Sequence, residues 1–294
     1  MASDQASLGG GSGQPRLERG GAEPEQPEQP EELERMTLLE HLEELRRRLL
    51  ASIVAMFVGF MVCFAFAKPI YRALSMPITG GTIPLPPVPF LPDLPRAVVF
   101  EPLVEKLSFL KITDPFVLYV KVALLASIFL VSPFILYQVW KFIAPGLYRR
   151  EKRYAAPFIV FGSSFFLAGG LFGYLVAFPF AARFLINLGG EFEAVITVDT
   201  YLGLLTNVLL GLGVMFQLPI LIFMLAQLGV VTPAFLIRHF RWAVLLIFVV
   251  SAVITPTPDV VNLMVVALPT IVLYLLGVGA AALADWRRGR RRGD

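Results

Sequence analysis

Two adjacent glutamates stand beside three arginines immediately before an apolar stretch of the chain. The segment is HLEELRRRLL, His41 to Leu50, and its acids are Glu43 and Glu44. A basic flank is ordinary where a chain enters a membrane, whereas adjacent carboxylates are not. On a helix, Glu44 can pair with Arg48 and Glu43 with Arg47 at i, i+4, and each pair contributes about 0.3–0.5 kcal/mol. The first interpretation of the acids is therefore helix pairing.

The second interpretation makes acids of this kind a binding site for arginines that another protein supplies. Glu44 and Glu151, which stands among four cations in YRREKRY, both lie at predicted helix ends. A carboxylate can hold a planar guanidinium through two hydrogen bonds, and each charge-assisted bond contributes about 1.5–3 kcal/mol. Two separated acids would then bind two arginines. Spacing alone leaves both interpretations open.

Two further polar residues lie inside or directly beside predicted membrane-spanning segments. Gln217, in GVMFQLPIL, lies near the middle of an apolar segment. It either forms an interhelical hydrogen bond of about 1 kcal/mol or belongs to a site within the membrane. Asp259 directly precedes the last apolar segment, where it is either the helix N-cap or a functional carboxylate.

The sequence lacks the residue patterns of common catalytic sites. It has no GxxxxGK[ST] phosphate loop, and no convincing Ser/His/Asp arrangement can be assembled. His41 and His239 have no partner at metal-ligand spacing, and Cys63 is the single cysteine. We therefore expect no enzymatic activity, no metal and no cofactor.

Composition indicates a polytopic membrane protein. Of the 294 residues, 56% are hydrophobic and 16% are charged, and the mean hydropathy is +0.72. A chain this apolar must bury its surface in lipid. The net charge of +3 is too small to indicate a nucleic-acid-binding protein, so no nucleic acid is expected as a partner.

The chain divides into three predicted parts. Residues 1–35 are rich in Gly, Pro, Gln and Glu and are predicted to be a disordered cytoplasmic extension. Residues 36–285 form the membrane domain, which begins with Thr37 as the N-cap and Glu40 three residues later in a capping box. Residues 286–294 are a basic cytoplasmic tail.

The predicted fold is that of an all-α polytopic membrane protein with six transmembrane helices. They are predicted at about 49–67, 116–142, 155–182, 200–228, 240–255 and 260–284. The fifth reaches only about 24 Å at 1.5 Å per residue, so with its short TPTPD connection it is predicted either to thin the bilayer locally or to stop short of the far face. The outer connection, 68–115, contains IPLPPVPFLPDLP and is predicted to be a rigid, extended cap.

Lys and Arg are more numerous in the connections on one side of the membrane than on the other. Both termini are therefore predicted to be cytoplasmic. The cations on that side are Arg46 to Arg48, Lys141, Arg149, Arg150, Lys152, Arg153, Arg238, Arg241, Arg287, Arg288 and Arg290 to Arg292.

Three segments together resemble the TatC family, the multispanning subunit of the Sec-independent twin-arginine protein translocase. They are HLEELRRRLL, SPFILYQVWKFIAPGLYRREKR (Ser132 to Arg153) and TPTPD (Thr255 to Asp259). The resemblance covers essentially everything after the N-terminal extension. It implies a glove-shaped bundle of six helices with two short C-terminal helices.

The resemblance also implies functional positions. Gln217 departs from the glutamate that many members carry at its position, although it keeps a polar contact. The implied signal-peptide-binding residues are Glu44, Arg46, Phe142 and Glu151, and the implied functionally sensitive outer positions are Pro77 and Asp259.

The implied function is that of a receptor and core subunit in the bacterial cytoplasmic (inner) membrane. It would bind twin-arginine signal peptides of folded proteins and recruit single-span TatA- and TatB-type subunits, beside other copies of itself, for export driven by the protonmotive force. Two alternatives stay open on the residues alone. One is a secondary transporter for a small solute or ion with its site at Gln217, and the other is a scaffold that only holds other membrane subunits.

Overall fold

A computed structural model provides the coordinates of the chain. Thr37, Glu151 and most of the proline-rich run lie outside the residues that the structure describes, so the capping box and the predicted disorder of the extension stay predictions. The described residues are 38–84, 97–104, 106–143, 155–190, 195–255 and 259–290.

The described residues are predominantly helical, with one small hairpin. The helices are α1 Leu38–Ala65, α2 Ala67–Thr79, α3 Asp114–Ile143, α4 Ala155–Phe172, α5 Phe178–Leu188, α6 Val198–Met215, α7 Leu218–Gln227, α8 Pro233–Arg238, α9 Phe240–Ile254 and α10 Val260–Arg290, and a π-helical turn, Gly173–Ala177, joins α4 to α5. The strands β1 Gly81–Pro84 and β2 Ala97–Phe100 pair antiparallel, with Gly81 opposite Phe100.

Five helical segments are long and apolar enough to cross a membrane, and they agree with five of the six predicted spans to within a few residues at most ends. They are Leu42–Ala65, Asp114–Ile143, Ala156–Leu188, Val198–Gln227 and Val260–Leu283. Their outward surfaces are largely apolar, as on α1, where Val54 and Phe57 are exposed. A surface of this kind is stable only in lipid or against another protein.

The last two helices differ in length. Helix α9 has 15 residues, so it reaches about 22 Å, which is less than about 30 Å of hydrocarbon, as predicted for the fifth segment. Helix α10 has 31 residues, so the expectation of two short C-terminal helices is wrong for the second of them. The sequence AALADWRRGR continues α10 because it contains no proline and is rich in strong helix formers.

The outer connection is less extended than predicted. Residues 67–79 form α2, because AKPIYRALSMPIT is rich in helix-forming residues. Pro69 lies in the first turn, where proline is tolerated, and Pro77 is the proline in the helix interior. The hairpin of β1 and β2 follows. Most of IPLPPVPFLPDLP falls within residues 85–96, outside the described residues.

Helices α1 and α3 pack closely along their lengths. A Cβ atom at Gly59 of α1 would lie 2.5 Å from the Val131 Cγ2 atom of α3 and 3.6 Å from the Ser127 Cβ atom. Only glycine permits this approach. Tyr71 of α2, which follows the end of α1, packs edge-on against Tyr119 near the start of α3 with a ring-centroid distance of 6.3 Å. The end of α1 therefore lies near the start of α3, and the two helices run in opposite directions.

Candidate functional site

Glu44 lies on the face of α1 that packs against α3. Its side chain is only 9% exposed, and its Oε1 atom accepts a hydrogen bond from the Arg48 Nη2 atom at 2.9 Å. The predicted Glu44–Arg48 pair is therefore confirmed. The predicted Glu43–Arg47 pair is wrong: among the described side chains of α1, the Arg47 guanidinium lies 3.9 Å from Glu44 instead.

The Glu44–Arg48 pair leaves hydrogen-bonding capacity unused. The Glu44 Oε2 atom and the Arg48 Nε atom are buried and have no hydrogen-bond partner within the described part of the chain. A buried acceptor without a partner costs about 1–3 kcal/mol, and more when the group is charged. Glu44 is therefore an acceptor that a donor from outside the described residues would stabilise.

The antiparallel packing brings the end of α3 to the start of α1. Along α1, Glu44 lies about 22 Å from Gly59, and along α3, Phe142 lies about 22 Å from Ser127, which contacts Gly59. Glu44 and the half-buried Phe142 therefore lie toward the same end of the α1–α3 pair.

Two other predicted site residues are not brought to the Glu44 carboxylate by the described structure. Arg46 is exposed on α1, and residues at i and i+2 of a helix do not face each other. Glu151 lies outside the described residues, so its place in the site stays a prediction.

Gln138 is a residue of this region that sequence reasoning missed. It lies on α3 one turn before Phe142, toward the end that the antiparallel packing brings to the start of α1. Its side chain is 7% exposed, and its Oε1 atom is buried without a hydrogen-bond partner in the described residues. A signal for it exists in the sequence, because a glutamine in the α1-facing stripe of an apolar helix must either find a partner or remain unpaired.

Gln217 connects two span segments. Its Nε2 atom donates a hydrogen bond of 2.9 Å to the backbone carbonyl of Gly162 in α4. The predicted interhelical hydrogen bond is therefore confirmed. Gln217 itself stands in the break between α6 and α7, just before Pro219.

Asp259 is the N-cap of α10. Its Oδ1 atom accepts a hydrogen bond from the backbone N–H of Asn262 at 2.8 Å, and its Oδ2 atom accepts one from the Asn262 Nδ2 atom, also at 2.8 Å. The N-cap interpretation of Asp259 is confirmed, because its side chain bonds an N–H group of the first turn that the helix leaves without a partner.

Pro77 acts on the outer cap through a backbone carbonyl. Proline has no N–H group, so the carbonyl of Ala73 loses its partner in α2. The hydroxyl of Tyr174, from the π-helical turn, donates to that carbonyl, and the hydroxyl of Tyr201 in α6 donates to the carbonyl of Leu74 at 2.5 Å. These two bonds attach α2 to the span helices, and we call them the tyrosine latch.

The tyrosine latch was also missed by sequence reasoning. Tyr174 and Tyr201 are both buried. The signal in the sequence is weak, because a tyrosine in an apolar segment predicts that its hydroxyl has a partner without predicting which one.

Comparison with known proteins identifies the family. Residues 40–269 match the family described as Sec-independent protein translocase protein (TatC). The chain is 42% identical over 252 residues to the Sec-independent protein translocase protein TatC of Koribacter versatilis, covering 86% of this chain and 87% of that protein. It is 37% identical over 246 residues to the TatC protein of Helicobacter pylori strain 26695, covering 83% and 87% of the two chains.

A solved structure agrees with this assignment. The crystal structure of a twin-arginine translocase receptor, TatC, superposes with a TM-score of 0.65 at 31% sequence identity and covers 84% of this chain and 100% of the other. Similarity at this level over most of both chains shows a shared fold and ancestry, and the apolar helices place the chain in a membrane. The chain therefore belongs to the TatC family of Sec-independent protein translocase proteins.

Proposed function

We propose that this chain is the receptor and core subunit of a twin-arginine translocase and that it binds the twin-arginine signal peptides of folded proteins. The observation that carries the proposal is the buried Glu44 carboxylate, whose Oε2 atom has no partner in the described residues. A guanidinium from a signal peptide supplies the donors that this oxygen lacks.

In the proposed complex, Glu44 binds one arginine and Glu151 binds the other. Phe142, toward the same end of the α1–α3 pair as Glu44, gives the peptide an apolar contact. Arg46, exposed on the neighbouring face of α1, contributes to the electrostatic environment of the incoming segment. The apolar stretch of the signal peptide packs against exposed apolar helix surfaces, where burial contributes about 25 cal/mol per Å².

The proposed setting is the bacterial inner membrane, with both termini in the cytoplasm. The excess of Lys and Arg in the connections on that side supports this orientation. The proposed partners are single-span TatA- and TatB-type subunits and other copies of this chain. The proposed energy source is the protonmotive force, which supplies about 2.3 kcal/mol for each charge moved across 100 mV.

Pro77 and Asp259 support this function from the outer side. Pro77 frees the carbonyl to which Tyr174 donates, and Asp259 caps the start of α10. Both residues set the position of a helix, so their proposed importance is to keep the outer ends of the spans in place.

The transporter alternative has less support. Its central residue, Gln217, uses its amide N–H on the carbonyl of Gly162. The family match and the names of the relatives do not favour a small-solute carrier.

The test of the proposed function is peptide binding to the full chain in nanodiscs. A labelled twin-arginine peptide is compared with its twin-lysine counterpart on the wild type, Glu44→Gln and Glu151→Gln. We expect the wild type to prefer arginines and each substitution to weaken binding at least about tenfold, or about 1.4 kcal/mol. Equal binding of both peptides to all three proteins would contradict the proposal.

A further inference from the structure

Unpaired polar atoms accumulate where α1 begins and α3 ends. The Glu44 Oε2 atom, the Arg48 Nε atom and the Gln138 Oε1 atom are all buried there without a hydrogen-bond partner in the described residues. Since each unpaired buried group costs about 1–3 kcal/mol, such a group in a native protein calls for a ligand or another specific explanation. Two of the three atoms are acceptors, so the ligand that fits them is a donor.

Gln138 faces α1, as the spacing of α3 requires. Ser127, Val131 and Gln138 are separated by four and seven residues, and the first two contact Met56 and Gly59 of α1. Trp140, two positions after Gln138, packs instead against Phe158 of α4 with a ring-centroid distance of 5.1 Å. The Gln138 amide therefore points into the α1–α3 interface.

The amide and the carboxylate lie toward the same end of the α1–α3 pair. Gln138 lies on α3 one turn before Phe142, and Arg48 is one helical turn from Glu44 on the same face of α1. Within the described part of the chain, the Arg48 guanidinium donates to the Glu44 Oε1 atom, at 2.9 Å, and the Oε2 atom has no partner.

We propose that Gln138 is a specificity-determining residue of the peptide site, with its Oε1 atom and the Glu44 Oε2 atom together accepting hydrogen bonds from one arginine of the signal peptide. This inference rests on the proposed receptor function and adds to it a neutral acceptor on a second helix.

A pair of acceptors on two helices selects arginine over lysine for a geometric reason. The guanidinium carries five N–H donors in a rigid plane and can donate to two separated oxygens at once. The lysine ammonium is a compact, strongly hydrated point charge. It can pair with the carboxylate, but it loses more hydration free energy than a guanidinium does and forms a weaker hydrogen bond to the amide oxygen. Removing the amide oxygen should therefore weaken arginine binding more than lysine binding.

The experiment measures dissociation constants of twin-arginine and twin-lysine peptides for the full chain in nanodiscs, and the unfolding temperature of each peptide-free protein. The variants are Gln138→Leu, which removes the acceptor, and Gln138→Glu, which keeps an acceptor oxygen at the same distance from the backbone. The control is Gln227→Leu, which removes a buried glutamine from α7.

For Gln138→Leu we expect about a tenfold loss of twin-arginine affinity, equivalent to about 1.4 kcal/mol, and a much smaller loss for the twin-lysine peptide. The unfolding temperature should stay equal or rise, because leucine removes an unpaired buried polar atom. Gln138→Glu should retain arginine binding, and Gln227→Leu should leave the ratio of the two affinities unchanged.

A purely structural role for Gln138 predicts a different pattern. Gln138→Leu would then lower the unfolding temperature and weaken the binding of both peptides equally, and this result would overturn the inference. Unchanged binding of the twin-arginine peptide to Gln138→Leu would also overturn it. If Gln138→Leu does not fold, Gln138→Asn, which withdraws the oxygen by one methylene, gives the same readout.

The same data separate this inference from the proposed function. A wild type that does not prefer arginines, or a Glu44→Gln variant that binds them unchanged, overturns both. Another outcome is that the wild type prefers the twin-arginine peptide, Glu44→Gln binds it more weakly and Gln138→Leu binds it as tightly as the wild type. That outcome overturns only the role of Gln138.

Discussion

The tyrosine latch gives the outer cap a stability that depends on the residue at position 77. In the wild type, the carbonyl of Ala73 receives no helical N–H because residue 77 is proline, and the Tyr174 hydroxyl donates to it. We predict that Tyr174→Phe destabilises the protein strongly with Pro77 in place and weakly in a Pro77→Ala background.

The magnitude follows from what happens to the Ala73 carbonyl. Losing a neutral hydrogen bond costs about 0.5–1.5 kcal/mol, and leaving its buried acceptor unpaired raises the cost of Tyr174→Phe to about 1–3 kcal/mol. In Pro77→Ala, residue 77 gains an N–H that can bond the same carbonyl within α2. The cost should then fall below about 1 kcal/mol, so the coupling energy of the double-mutant cycle is about 1 kcal/mol or more.

The assay is the free energy of unfolding of the four proteins, from reversible denaturant titration in detergent micelles. Tyr201→Phe is the matched control, because its acceptor, the carbonyl of Leu74, keeps the helical N–H of Ile78 whatever residue occupies position 77. Its cost should therefore be the same in both backgrounds. If the cost of Tyr174→Phe also agrees between backgrounds to within about 0.5 kcal/mol, the link between Pro77 and the latch is refuted.

Three further predictions use the same stability measurements. Gln217→Leu removes the donor to the Gly162 carbonyl and should lower the free energy of unfolding by about 1 kcal/mol, and an unchanged value would contradict this interhelical bond. Asp259→Ala should lower the free energy of unfolding by about 1 kcal/mol through loss of the N-cap, whereas Asp259→Asn keeps an acceptor and should lower it by only a few tenths of a kcal/mol. Loss of protein export in a stable Asp259→Asn variant would show that the charge itself is needed. Gly170→Ala should cost about 1–3 kcal/mol by overpacking, because the new Cβ atom would lie 2.3 Å from the Phe129 ring, and a thermal melt equal to that of the wild type would rule out this contact.

Interactions between neighbours in the sequence were predictable from the sequence. The Glu44–Arg48 pair and the Asp259 N-cap both join residues three or four positions apart, where helix geometry alone decides which side chains meet. The membrane spans were predictable for a similar reason, since about 20 consecutive apolar residues are needed to cross the hydrocarbon wherever they occur in the chain.

The outer connection shows where local reasoning failed. Its many prolines suggested extended backbone, yet residues 67–79 form the helix α2. The proline in the interior of that helix, Pro77, is tolerated because the Tyr174 hydroxyl supplies the missing donor. The proline content of the segment does not indicate where each proline stands in a helix, and that position decides whether the proline is tolerated.

By itself, the sequence determined that this is a polytopic membrane protein, where its spans lie and which helix ends carry acids. Only the tertiary structure decided which polar groups find partners. The Tyr174, Tyr201 and Gln217 bonds join residues 101, 127 and 55 positions apart, whereas Gln138 and Glu44 each keep a buried acceptor atom that has no partner among the described residues. The physical reason is that helix propensity and hydrophobicity act along the chain, whereas the pairing of a buried polar atom depends on how helices pack, and many packings are compatible with the same apolar segments.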